Sequence, residues 1–197
     1  MRQYAFPALW ITVLVQVSWM VLDRFAAHAW YLVVLVAGFA MLAATFGRWR
    51  WIAASLRVFL GLDFLGSVSD RFGLLGPPGA AGVAWGDFGH FVTYTHQVNA
   101  FLPADVAPAL AVLATIAEIS LGFGLVLGVR VRLAALGASM LLLTYGIAMT
   151  ISLGVASQFP YAVFMLSAGA WALATVDARP LSVDLLLARL RPREVSS

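Results

Sequence analysis

Six long apolar runs divide the chain, and short clusters of charged or turn-forming residues separate them. The runs cover residues 5–22, 26–46, 52–69, 107–128, 133–152 and 160–176. A helix needs about 20 predominantly apolar residues to cross the hydrocarbon core of a bilayer. The pattern therefore predicts an all-α protein, a polytopic bundle of about six membrane-spanning helices.

One long connection, residues 70–106, interrupts this pattern, and its second half has helical periodicity. Apolar side chains of residues 87–102 fall on one face, and Asp87 is suited to cap the start of a helix. We expect a short helix on the outer surface here, partly facing lipid. A second amphipathic segment, residues 181–191, predicts a helix on the inner surface.

The composition agrees with a membrane protein and disagrees with a soluble enzyme. Of the 197 residues, 62% are hydrophobic and 11% are charged, whereas soluble domains carry about 25% charged residues. The net charge of +3 comes from arginines at predicted helix ends, so nucleic acid is not an expected partner. The chain has no cysteine, which excludes disulfides and thiolate-bound metals within it.

The arginines predict the orientation, because cytoplasmic loops are enriched in basic residues. An arrangement with both termini inside leaves Arg24 and Arg71 outside and Arg57 within the membrane. It puts nine arginines on the inner side: Arg2, Arg48, Arg50, Arg130, Arg132, Arg179, Arg189, Arg191 and Arg193. We therefore expect a multi-pass protein with both termini in the cytoplasm.

Ionisable residues inside a membrane are costly and need a reason. Asp63 and Glu118 both lie about 17 Å into their predicted helices, at a rise of about 1.5 Å per residue. Both are candidate catalytic residues, and Asp63, which has no evident partner, is a candidate for proton exchange. Arg57 is expected to pair with Glu118 where Gly61 meets Gly122, in an arrangement that also suits simple helix packing.

These residues predict a pocket between the third and fourth spanning helices. Asp63, Glu118 and Phe64 would line it, and Arg57 and Phe64 would contact a polar headgroup such as that of a quinone. The pocket is expected to open sideways to lipid. His90 and His96 are six residues apart, which is not metal-ligand spacing, so no metal site is predicted.

Two stretches resemble the DoxX family of bacterial membrane proteins. Residues 117–128, AEISLGFGLVLG, continue to Arg132-Leu133-Ala134-Ala135 and are similar to that family's Ala-Glu, Leu-Gly and Arg-x-Ala-Ala pattern. Arg57, Gly61 and Phe64 resemble the start of its core, and residues 160–164 resemble the start of its last helix. The resemblance covers roughly residues 52–176 and gives Gly61, Gly122, Gly128 and Arg132 structural roles.

The resemblance implies a bacterial inner-membrane protein with a four-helix core. Residues 1–51 would form two additional N-terminal helices, residues 52–176 the core, and residues 177–197 a cytoplasmic tail. Some relatives are linked to quinone-dependent redox complexes, so the implied function is an accessory or quinone-interacting subunit. Any such enzyme activity would need a quinone or a redox partner, since the chain holds no evident cofactor of its own. An oligomer is compatible with this scheme, and the alternative is a non-catalytic scaffold or small-solute permeation protein.

Overall fold

The computed structural model describes residues 1–22 and 30–190. Within these ranges the chain is helical and contains no strand. The helices are α1 (Arg2–Leu22), α2 (Trp30–Ala44), α3 (Arg50–Arg71), α4 (Phe88–Val98), α5 (Ala107–Leu127), α6 (Val131–Leu153), α7 (Val163–Leu173) and α8 (Val183–Leu190). The predicted all-α class is confirmed. The predicted start of the second helix, together with Arg24, Arg191 and Arg193, lies outside the described residues.

Four helices are long and apolar enough to cross a membrane. They are Arg2–Leu22, Arg50–Arg71, Ala104–Leu127 and Val131–Leu153, and two shorter apolar helices, Tyr31–Ala44 and Val163–Leu173, accompany them. Large apolar side chains such as Leu113, Ile116 and Met140 point outwards from the long helices, as lipid contact requires. The protein is therefore a multi-pass membrane bundle, and within the described residues four of the six predicted spans form helices of full spanning length.

The last predicted span is shorter because its first residues adopt another conformation. Residues Val155–Tyr161 form a 3₁₀ helix, and Ala162 follows with a left-handed φ of 49°. The α-helix begins only at Val163, and its 11 residues span about 16 Å. Helix α7 is buried on nearly all sides, and Gly169 lets the ring of Phe39 from α2 lie directly on its backbone. It is a central packing element of the bundle.

Helices α3 and α5 approach each other closely at Gly61 and Gly122. A Cβ on Gly61 would lie 2.9 Å from the carbonyl oxygen of Gly122, and one on Gly122 would lie 3.2 Å from that of Gly61. Small residues permit such an approach in membranes, where close packing contributes to helix association. The contact fixes the antiparallel register, which places Arg57 beside the end of α5 and Glu118 beside the second half of α3.

Helix α4 forms in the outer connection as the periodicity predicts, over Phe88–Val98. The Asp87 side chain caps it by accepting the His90 backbone N–H at 2.8 Å. Its buried residues, Phe91 and Thr95, face the bundle. Tyr94, which the periodicity assigns to the polar face, also turns inwards. Helix α4 thus covers the end of the α3, α5 and α6 group.

Candidate functional site

A cavity of about 440 Å³ lies beneath α4, between α3, α5 and α6 and the start of α7. Its wall is largely apolar, with Phe64, Leu113 and Leu142 among the residues that form it. Asp63 and Glu118 also line it, so the structure brings three of the sequence-predicted site residues together. Ligand pockets in proteins have this character, a mostly apolar wall with a few placed polar groups.

Glu118 is the centre of a buried polar network in this cavity. The Arg71 guanidinium donates to one Glu118 carboxylate oxygen, with Nη2 to Oε2 at 2.6 Å. The Tyr145 hydroxyl donates to the other oxygen, Oε1, at 2.7 Å. Arg71 also donates to the hydroxyls of Thr115 and Ser67, each at 3.0 Å. Because both charges are almost fully buried, each depends on the other to offset its desolvation.

The predicted Arg57–Glu118 ion pair is wrong, because Glu118 pairs with Arg71. Side chains on a helix lean towards its N-terminus. On α3 this direction takes Arg71 back over Ser67 towards Glu118, whereas it takes Arg57 away from Glu118 towards the end of α5. Arg71 was assigned to the outer loop from the sequence, and Tyr145 was not selected at all.

Arg57 lies outside the cavity and binds backbone carbonyl groups instead. Its Nη1 donates to the carbonyl oxygen of Leu125 in the last turn of α5. Its Nη2 donates to the carbonyls of Pro180 and Leu181, at 3.3 and 3.2 Å. A cation is favourable at a helix C-terminus, where unpaired carbonyls concentrate negative potential. Arg57 thus ties the end of α5 to the segment that leads into α8.

Gly128 permits close contact between the end of α5 and Ser182. It ends α5 with a left-handed φ of 69°, and a Cβ there would lie 2.3 Å from Cβ of Ser182. Arg132, the other residue taken from the family pattern, is exposed at the start of α6 and approaches the Met1 sulfur at 3.6 Å. Both residues are remote from the cavity.

Asp63 differs from Glu118 and Asp70, whose carboxylates are buried and bonded. Its side chain is exposed into the cavity. Among the described residues, none forms a hydrogen bond or an ion pair with it. It lies about 20 Å along α3, near the middle of the span. An unpaired carboxyl group at this depth is unfavourable for folding and therefore marks a candidate functional residue.

Two tyrosine hydroxyls in the cavity wall are likewise unbonded within the part of the chain that the structure describes. They belong to Tyr94 on α4 and Tyr161 in the 3₁₀ helix. Burial raises the pKa of Tyr94 to about 12, and the neighbouring Tyr161 adds to the shift. The Tyr94 hydroxyl therefore keeps its proton at neutral pH and is available as a hydrogen-bond donor.

The connection before α4 is held by Asp70, which the sequence analysis passed over. Its carboxylate accepts three backbone N–H groups, those of Ala84, Trp85 and Gly86, at 2.8 to 3.2 Å. This bond set places the Trp85 ring 5.3 Å from the Arg71 guanidinium, and the Phe91 ring lies 3.6 Å from it on another side. Cation–π contacts of this kind help to hold a desolvated arginine.

No metal site is formed within residues 1–22 and 30–190, where no group of three His, Cys, Asp or Glu side chains comes together. His90 pairs with Asp87, its Nδ1 lying 2.8 Å from the carboxylate, and both side chains are largely exposed. Comparison of the chain with protein-family models, with curated proteins and with solved structures finds no match.

Proposed function

We propose that the cavity beneath α4 binds a lipophilic molecule with a hydrogen-bond-accepting headgroup, of the quinone class. The observation that carries this proposal is Asp63, an unpaired carboxyl group that faces an apolar cavity at mid-span. Packing alone gives no reason to keep such a group, whereas a site that binds a polar headgroup and exchanges protons needs one.

The polar groups around the cavity suit the carbonyl oxygens of a quinone ring. The hydroxyls of Tyr94 and Tyr161 are donors for a carbonyl oxygen, and Asp63 supplies or accepts a proton at the ring. Reduction of the quinone consumes two electrons and two protons. The electrons would come from a redox partner protein. Asp63 would give one proton to the quinone, take up another from the aqueous phase and give that one as the quinol forms.

We further propose that the chain is a DoxX-like protein of a bacterial inner membrane, acting as an accessory subunit of a redox complex. The six-crossing arrangement with both termini inside belongs to this proposal. It is supported by the basic end of the bundle, where Arg2, Arg48 and Arg132 lie exposed. Arg71 does not count as a positive charge on the outer side, because it is buried and paired with Glu118.

A non-catalytic scaffold or a permeation protein is the second candidate, and one observation favours it. Both carboxylate oxygens of Glu118 accept hydrogen bonds within the protein, so the Arg71–Glu118–Tyr145 network needs no ligand. The two functions differ in their dependence on Asp63. A scaffold tolerates its loss, whereas a headgroup site does not.

The experiment is a binding titration of a short-tail benzoquinone with the purified protein in mild detergent. Asp63→Asn and Tyr94→Phe preserve the shape and remove the proton or the hydroxyl. We expect Tyr94→Phe to weaken binding by about fivefold to twentyfold, the effect of one lost hydrogen bond. Asp63→Asn keeps an N–H donor, so it should weaken binding less and should remove the pH dependence of binding that the carboxyl group causes. Asp105→Asn, which changes an exposed aspartate outside the cavity, is the matched control. Failure of the parent protein to bind the quinone would reject the proposal in favour of the scaffold.

A further inference from the structure

A second concave surface lies at the opposite end of α3 from the Arg71 network. It is a groove of about 700 Å³, here named the basic groove. Residues 48–52, at the start of α3, form one wall, and residues 180–182 with α8 form the other. It shares no residue with the cavity beneath α4.

The charge of the basic groove is positive. Arg48, Arg50 and Arg189 line it, and none of the described residues that line it is acidic. Arg50 is bound to Asp177 at 2.9 Å, so its charge is partly offset. Arg48 and Arg189 have no ion-pair or hydrogen-bond partner in the described residues, and they stand on facing walls. Their positive charges are therefore available to an anion between them.

Exposed apolar side chains surround these arginines. Trp49 and Trp51 lie beside Arg48, and Leu181, Leu186 and Leu190 lie along the other wall and α8. Tryptophan and arginine occur together at the level of lipid headgroups, where an aromatic ring meets both apolar chains and water. A groove with arginines and exposed leucines matches a molecule with an anionic head and apolar tails.

The groove is held in shape by hydrogen bonds within the protein, so it exists before any ligand binds. The Asp184 carboxylate of α8 accepts the backbone N–H groups of Arg130 and Val131 at the start of α6, at 2.8 and 2.9 Å. Arg57 holds the preceding segment through the Pro180 and Leu181 carbonyls. A preformed site does not have to order its walls when the ligand enters.

We propose that the basic groove binds the headgroup of an anionic phospholipid, with its phosphate between Arg48 and Arg189 and its acyl chains along Trp51 and the leucines of α8. The side chains on both walls fit this occupant better than a free phosphate ion, because a phosphate ion has no apolar part to contact the tryptophans and leucines. Basic pockets at membrane level in other proteins hold anionic lipids in this way.

The test is native mass spectrometry of the full chain in mild detergent, titrated with dioleoyl phosphatidylglycerol or dioleoyl phosphatidylcholine. We expect preferential retention of phosphatidylglycerol by the parent protein. Arg48→Gln and Arg189→Gln should each weaken it about fivefold, and the double variant by about twentyfold or more. Arg132→Gln removes an exposed arginine at the same end but outside the groove, and should leave binding unchanged.

Three outcomes would overturn the proposal. Equal retention of the two lipids would show that the net negative charge of the headgroup is not recognised. An equal loss in Arg132→Gln would show a response to overall basicity instead of a site. Displacement of phosphatidylglycerol by millimolar inorganic phosphate would assign the groove to a free anion. Circular dichroism of each variant verifies that the helical fold is retained.

Discussion

Arg57 and Arg71 are two buried arginines on one helix, and different kinds of group stabilise their charges. They lie 14 residues apart on α3, about 21 Å along its axis, and each is at most 2% exposed. Arg57 is surrounded by backbone carbonyls at the end of α5 and at residues 180–181. Arg71 is bound to the carboxylate of Glu118 and to hydroxyl groups in the cavity wall.

The difference indicates that the end of α3 near Arg57 serves packing, whereas the end near Arg71 holds groups that can take part in proton chemistry. Carbonyl dipoles do not titrate, so the surroundings of Arg57 keep the same charge at every physiological pH. The surroundings of Arg71 contain a carboxylate, a tyrosine and, in the same cavity, the unpaired Asp63. Among the described residues, neither arginine has a hydrogen-bond partner for its Nε atom, so this feature does not distinguish them. What distinguishes them is the kind of group to which they bond. Arg71 bonds to an ionisable carboxylate, whereas Arg57 bonds to backbone carbonyls.

The largest effect is expected from breaking the Arg71–Glu118 pair. Arg71→Met or Glu118→Leu leaves one buried charge unpaired and should lower the free energy of unfolding by about 3–5 kcal/mol. The double variant removes both charges and should cost clearly less than the sum of the two single changes. Unfolding by sodium dodecyl sulfate in mixed micelles measures each value. Plain additivity would contradict direct coupling.

Arg57 supplies the matched comparison. Arg57→Met leaves the carbonyls at the end of α5 without their donor and should cost about 1–3 kcal/mol. Combined with Glu118→Leu, its effect should add within about 0.5 kcal/mol, because the two sites share no partner. Faster proteolysis of the segment before α8 should accompany the loss. A coupling energy as large as that of Arg71 would contradict the structural assignment.

A smaller and local effect is expected at Asp70. Asp70→Asn replaces one acceptor oxygen by an NH₂ group, which faces backbone N–H donors and cannot bond to them. The free energy that closes residues 72–87 should fall by about 1–2 kcal/mol, seen as faster amide exchange at Ala84 and Gly86. Asp105→Asn, at an exposed position, serves as the control. Unchanged exchange at these amides would refute the anchoring role.

The smallest effect is a pH dependence at the start of α4. Hydrogen bonds from the His90 backbone N–H and the His90 ring lower the pKa of Asp87. The stabilisation is fully present above the ordinary pKa of aspartate, about 4, and is lost as the pH falls through the lowered value. Amide exchange at His90 should therefore accelerate, beyond its intrinsic rate, only below about pH 4. In Asp87→Asn, which does not titrate, this acceleration should disappear.

Much of the fold could be predicted from the sequence, because long apolar runs and the periodicity of residues 87–102 depend on local composition. The α7 boundary could not, since Pro160 is acceptable both in a first helical turn and in the 3₁₀ helix that the chain adopts.

The site was predicted in part. Asp63, Phe64 and Glu118 share one cavity because their depths along α3 and α5 are set by helix geometry. The partner of Glu118 was missed because depth was used without side-chain direction. Side chains on a helix lean towards its N-terminus, so Arg71 is expected to lie over Ser67, four residues earlier. This direction is the signal that identifies Arg71 as the partner of Glu118. Tyr145 depends on how α6 packs, which no local pattern contains.

The central claim is that Asp63 faces a cavity that a lipophilic molecule can enter, and carboxyl labelling tests it directly. A hydrophobic carbodiimide reacts with protonated carboxyl groups in apolar surroundings and leaves an adduct that peptide mass spectrometry locates. We predict modification at Asp63 and none at Glu118 or Asp70, whose carboxylate oxygens are bonded within the protein. A short-tail benzoquinone should slow the reaction at Asp63. Absence of the Asp63 adduct, or a rate that the quinone leaves unchanged, would contradict the account.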